Sequence, residues 1–135
     1  YGDNRRETNP LINNITFHGK FNYSDLKEIF NKTDVLIVPS MCRETFGFVG
    51  LEALSHGVPI MVSENVGIKD ILVDNVTGIV FRANNNDLNI KLKQFIDSRE
   101  KLKKINENIL SMDFNFNMSL HTKKIMNLYF EVNSK

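Results

Sequence analysis

Two carboxylates stand out in this chain. Glu44 and Glu52 are separated by seven residues, and Thr45, Phe46, Gly47 and Phe48 lie between them. Glu44 precedes a helical stretch and Glu52 falls inside it. A helix start presents backbone N–H groups without intrahelical partners and a partial positive charge, so the amides of Phe46, Gly47 and Phe48 could hold a phosphate. Gly47 has no side chain to keep a ligand off the backbone. Glu52 is flanked by Leu51, Ala53 and Leu54. Facing inward it would need a partner, because an unpaired buried charge is costly, and the paired hydroxyls of a ribose would satisfy it. The alternative is a solvent-facing glutamate on the polar side of an amphipathic helix. Spacing alone leaves both open.

The elements that must position these residues follow from hydrophobic patterning. Residues 15–18 read as a short strand ended by Gly19. Ser24 can cap a helix over 25–30, with Asp25 in the favourable first turn. The run 35–38 is continuously apolar and is closed by Pro39, which suits a strand covered on both faces. A loop over 40–46 leads into a helix over 47–56, stopped by Gly57 and barred from continuing by Pro59. Further strands are expected at 60–62 and 78–81, with a short helix at 68–72. Helices then follow over 87–98, 99–112 and 119–132. Alternating strands and helices predict an α/β fold, a Rossmann-like parallel sheet with helices on both faces, followed by a helical tail. Such sheets bind ligands beyond the carboxyl ends of their strands, here the loops after Phe17, Val38 and Val62.

Composition narrows the class. With 135 residues, 41% hydrophobic and 24% charged, the chain is neither disordered nor fibrous. Seventeen basic and 16 acidic residues give a net charge of +1, which argues against nucleic acid as the partner. One cysteine excludes an internal disulfide. No apolar run reaches the ~18 residues of a membrane span, and the polar start, Tyr1-Gly2-Asp3-Asn4-Arg5-Arg6, is unlike a signal peptide. A reducing cytoplasmic setting is expected. The Asn-x-Ser/Thr triplets at Asn14, Asn31 and Asn75 are then chance products of an asparagine-rich chain rather than glycosylation acceptors.

The block over 39–60 resembles the carboxy-terminal, nucleotide-sugar-binding domain of the family 4 GT-B glycosyltransferases, the glycosyl transferases group 1. The matching pieces are Pro39-Ser40, Glu44-x-Phe46-Gly47, Glu52-Ala53, Gly57-x-Pro59 and Gly78-Ile79-Val80, with Glu44 and Glu52 fitting the family's E-x7-E motif. Phe17-His18-Gly19 resembles its strand ending in glycine, and Asp70 stands where the family usually has Glu. The resemblance implies a retaining transfer of sugar from a nucleotide diphosphate sugar, with no cofactor and no essential metal. It implies that Glu44 is the catalytic-site carboxylate, holding hydroxyls of the transferred sugar. Thr45, Phe46, Gly47 and Phe48 would hold the sugar or the diphosphate, and Glu52 the ribose. Gly19 and Lys20 would lie beside the base. Acceptors would be glycans or lipid-linked sugars of cell-envelope polysaccharide or glycolipid synthesis, and the full enzyme would sit in the cytoplasm or against the inner face of the membrane.

Departures bear on that expectation. The family's upstream Gly-Arg and Lys-Gly segments, which neutralise the diphosphate, have no match before Phe17, and Tyr1-Gly2-Asp3 resembles the tail of a second strand. The chain is therefore expected to be part of a donor domain, 1–135, from a larger enzyme, inactive alone and reaching its acceptor through an amino-terminal domain. Rival readings are a non-catalytic nucleotide-binding or interaction module, a nucleotide-sugar epimerase and a sugar phosphorylase. Cys42 reads as a reduced small apolar residue, because no histidine is tied to it by a local motif. His56 is expected to meet the last carbonyls of its helix. His18 and His121 read as structural and surface residues, and the lysines of 91–104 as a solvated face. Met118, Ile125, Leu128, Tyr129 and Val132 recur at helical spacing, which predicts core packing. Within the resemblance, Phe114, Phe116 and Phe130 would instead face a partner domain, and a chain lacking that domain would self-associate.

Overall fold

The computed structural model describes residues 14–113 and 118–133, so the expectations placed on Tyr1–Asp3, Phe114 and Phe116 lie outside it. A 3-10 turn, Tyr23–Asp25, leads into α1 (Leu26–Asn31), followed by β1 (Leu36–Val38), α2 (Phe48–Ser55) and β2 (Ile60–Ser63). A second 3-10 turn, Gly67–Ile71, precedes β3 (Gly78–Phe81), and three helices complete the chain: α3 (Asn85–Asp97), α4 (Arg99–Leu110) and α5 (Met118–Asn133). The strands form one parallel sheet in the order β1-β2-β3. Leu36 pairs with Ile60 and Ile60 with Gly78, so the three strands start in register and end on one side.

Burial explains why this sheet holds. Successive strand residues point to opposite faces, and Ile60, Met61, Val62 and Ser63 are all 0% exposed, so both faces of β2 are covered. Each such apolar side chain contributes about 1.5–3 kcal/mol on burial. Leu26 and Phe30 of α1, Ala53 and Leu54 of α2, Phe95 of α3, and Ile105 and Ile109 of α4 complete the core. The expected stop at Gly57 is present in detail. Gly57 adopts a left-handed φ of 76°, its N–H donates to the Leu54 carbonyl, and the Val58 N–H donates to the Ala53 carbonyl. This double closure satisfies carbonyls that a helix end would leave unpaired. His56 meets the helix end as expected, its Nδ1 lying 2.8 Å from the Glu52 carbonyl.

Three expectations are corrected. Residues 15–18 form no strand among the described residues, and Ile15 and Phe17 are 53% and 57% exposed. Alternation supplied the β signal, but a strand also needs a neighbour for its N–H and C=O groups, and no described segment pairs with it. Gly19 still takes a left-handed φ of 69° where the segment was expected to end. Ser24 is not the helix cap. The turn opens two residues earlier, with the Asn22 N–H donating to the Asp25 carboxylate at 2.9 Å, and Ser24 Oγ also donates to that carboxylate. Finally, α5 does not pack into the core: Ile125, Leu128, Tyr129 and Val132 are 39%, 57%, 65% and 73% exposed. Helical spacing marks an apolar face without saying what covers it. The side chain of Met118 lies outside the described residues.

Candidate functional site

The loop after β1 carries Glu44, and the loop after β2 holds it in place. Ser63, fully buried at the end of β2, donates from Oγ to the Ser40 carbonyl at 2.7 Å. Asn65 Nδ2 donates to the Met41 carbonyl at 2.8 Å. The backbones then cross-link. The Glu44 N–H donates to Asn65 O at 2.9 Å, the Gly67 N–H to Glu44 O at 3.0 Å and the Ile68 N–H to Phe46 O at 2.6 Å. Glu44 and Val66 thereby form an isolated parallel bridge beyond the sheet. So close an approach requires glycine: a Cβ on Gly67 would lie 2.1 Å from the Thr45 carbonyl oxygen.

The Glu44 carboxylate is half-buried, and Ser40 Oγ donates to its Oε2 at 2.8 Å. Its Oε1 faces Gly47, at 3.4 Å from where a Cβ would stand. Gly47 precedes α2 with φ +87°, and a Cβ there would meet Val66 Cγ1 at 2.6 Å. Backbone conformation and space both demand glycine at this position. No side chain caps α2, so the amides of its first turn are left without a side-chain partner and keep their partial positive charge. Phe46 packs against the core, whereas Phe48 is 72% exposed, and their rings lie 5.1 Å apart. The helix thus places Gly47 and its following amides beside Glu44.

Glu52 lies one turn from the end of α2 and is half-buried. Among the described residues no hydrogen bond or ion pair is made by its carboxylate, while its backbone carbonyl accepts from Ser55 Oγ and meets His56. It is therefore neither a fully buried charge nor a plain surface one.

Glu44 and Thr45 line a hollow of about 490 Å³ with Arg43, Glu64, Asn65, Gly67, Lys69 and Asp70. It lies beyond the carboxyl ends of β1 and β2, where ligands of parallel sheets bind. Lys69 Nζ donates to the Glu64 carbonyl, which steadies that rim. Lys20 lines a different hollow of about 200 Å³ with Phe21, Asp25 and Glu28, and Gly19 is buried beside it. A larger cleft of about 630 Å³, lined by Phe30, Val35, His56, Pro59, Phe95 and Arg99, opens near the amino ends of β1 and β2. Cys42 is a free, exposed thiol on a loop anchored through the Ser40 and Met41 carbonyls. Among the described residues, no group of three His, Cys, Asp or Glu could hold a metal ion.

Sequence reasoning missed Ser63 and Asn65. Ser63 carried one readable signal, a hydroxyl ending an otherwise apolar buried strand, which must find a partner. Asn65 carried none.

The parallel sheet, the glycine-bound helix start and the site beyond the strand ends define a Rossmann-like domain of the GT-B type. Residues 3–112 match the sequence model of the glycosyl transferases group 1. The chain belongs to that family. An uncharacterised glycosyltransferase of Methanocaldococcus jannaschii is 37% identical over 73 residues, covering 54% of this chain and 18% of that protein. The crystal structure of Anabaena HepE in complex with UDP-glucose superposes with a TM-score of 0.75 at 20% identity, over 88% of this chain and 33% of that one. The carboxy-terminal domain of a glycosyl transferase group 1 protein from Francisella tularensis gives 0.62 at 19% identity, over 76% of this chain and 53% of that one. The chain thus spans well under two thirds of the curated relatives it matches. Among the described residues, no helix is long and apolar enough to cross a membrane.

Proposed function

We propose that residues 1–135 are the donor-binding part of a retaining glycosyltransferase, taking a nucleotide diphosphate sugar at the carboxyl ends of β1 and β2. The observation that carries the reading is the Glu44 carboxylate, held through Oε2 by Ser40 with Oε1 towards the Gly47 start of α2. Glu44 fixes the transferred sugar by accepting from its hydroxyls, which is positioning rather than nucleophilic attack. The amides of Gly47 and Phe48, with Phe46 and Thr45 around them, meet the developing charge of the leaving diphosphate. Glu52, whose carboxylate makes no hydrogen bond or ion pair among the described residues, accepts from the ribose diol. Gly19 and Lys20 stand beside the base. No metal or cofactor enters this scheme, in which the amides of the α2 start meet the charge of the leaving diphosphate. The UDP-glucose bound by the Anabaena protein supports a sugar nucleotide as the ligand class.

In this reading the acceptor, a glycan or lipid-linked sugar of envelope polysaccharide or glycolipid synthesis, is bound by an amino-terminal domain outside this chain. The complete enzyme works in the cytoplasm at the inner membrane face, and the 135 residues alone bind donor weakly and transfer nothing. Ligand-observed NMR with UDP-glucose, GDP-mannose and ADP-glucose tests the site, repeated with Glu52→Ala. One of the three should bind, more weakly to the variant. Binding untouched by Glu52→Ala would refute the ribose assignment, and robust turnover by the 135-residue chain would refute its incompleteness.

A further inference from the structure

A carboxylate that orients a sugar must itself be oriented, and the chain shows how. Ser40 Oγ donates to Glu44 Oε2 at 2.8 Å across a four-residue loop, a charge-assisted hydrogen bond. Ser40 does not hold that place alone. Its carbonyl accepts from the buried Ser63 hydroxyl at 2.7 Å, and the same Ser63 oxygen receives the Asn65 N–H at 3.3 Å. Asn65 closes the circuit twice, through Nδ2 to Met41 O and through its carbonyl to the Glu44 N–H. The Ser40 backbone is thus tied to the end of β2, and its hydroxyl is aimed at one oxygen of Glu44. The other oxygen, 3.4 Å from where a Cβ on Gly47 would stand, accepts no hydrogen bond among the described residues.

We propose that Ser40 is a positioning residue for the donor sugar: it locks the Glu44 carboxylate in one rotamer, with Oε2 occupied and Oε1 presented to the sugar hydroxyls. The inference rests on the reading of Glu44 as the sugar-contacting residue. Ser63 is the fixed point that keeps Ser40 in place. Without the Ser40 hydroxyl, a carboxylate with three side-chain torsions samples several orientations, and the sugar must bear the entropy of selecting one. The nucleoside diphosphate, which Glu44 does not touch, is far less affected.

The test compares each sugar nucleotide with its own nucleoside diphosphate: UDP-glucose with UDP, GDP-mannose with GDP, ADP-glucose with ADP. Dissociation constants are measured by NMR titration of the 135-residue chain, and amide spectra establish that each variant is folded. Ser40→Ala should weaken the sugar nucleotide about three- to tenfold, since water replaces part of a charge-assisted hydrogen bond, and should weaken the diphosphate less. Ser40→Thr, which keeps the hydroxyl, should recover most of the loss. In a Glu44→Ala background the added Ser40→Ala change should cost under about twofold, the signature of one residue acting through another. Equal weakening of sugar nucleotide and diphosphate, or a loss that persists without Glu44, would overturn the proposal and leave Glu44's role standing. A Glu44→Ala variant that binds every sugar nucleotide as well as the parent, or a parent chain that binds none, would overturn the reading beneath it.

Discussion

Replacing Gly67 by alanine should unlock the site by forcing apart two backbones. The added Cβ would stand 2.1 Å from the Thr45 carbonyl oxygen and 2.8 Å from its carbon, and backbone cannot swing aside as a side chain can. Separation breaks the Glu44–Asn65, Gly67–Glu44 and Ile68–Phe46 hydrogen bonds. At about 1 kcal/mol each the loss is ~3 kcal/mol, a large share of the ~5–15 kcal/mol that holds a typical domain together. For a chain of this size that lowers the melting midpoint by roughly 10 °C. Gly50→Ala is the control. Its Cβ would meet Ile68 Cδ1 at 2.9 Å, the movable end of a side chain, and alanine gains up to ~1 kcal/mol over glycine within a helix. The two effects offset, so that variant should stay within about 1 kcal/mol of the parent. Urea unfolding followed by circular dichroism measures both. A Gly67→Ala chain as stable as Gly50→Ala would refute the claim that the Glu44 loop is clamped by backbone crossing.

Two further outcomes follow from local geometry. Asn84 caps α3, its Oδ1 accepting the Asp87 N–H at 2.9 Å while the Asp87 carboxylate accepts the Arg82 N–H at 2.7 Å. Asn84→Ala should therefore cost about 1 kcal/mol, read in the same urea titration, and an unchanged midpoint would count against the cap. No described side chain of α5 is fully buried, so a chain ended at residue 117 should melt within a few degrees of the parent, roughly 1 kcal/mol or less. A large drop in midpoint would show that α5 belongs to the folding core.

The strands at 36–38, 60–63 and 78–81 were legible because buried parallel strands read as unbroken apolar runs, and α2 because Gly47, Gly57 and Pro59 bracket it. Residues 15–18 misled because alternation reports a half-buried surface, whereas pairing depends on a neighbour distant in sequence. α5 misled for the same reason: Ile125 and Leu128 define a face, and the sequence does not say what meets it. At the candidate site, the sequence placed Glu44 ahead of a helix and Gly47 at its first position, one residue before where α2 begins, and their adjacency followed from chain connectivity. The clamp was not, because Ser40–Ser63 and Glu44–Asn65 join loops some twenty residues apart, and a serine or asparagine in a loop has many local uses.

The central claim is that a nucleotide sugar binds along the Glu44–Glu52 side of α2. Its most direct test is a crystal structure of the chain with whichever of UDP-glucose, GDP-mannose or ADP-glucose binds. The account predicts sugar hydroxyls within hydrogen-bond distance of Glu44, the diphosphate against the Gly47–Phe48 amides and the ribose diol on Glu52. A ligand seated instead in the cleft near the amino ends of β1 and β2, between His56 and Arg99, would contradict it.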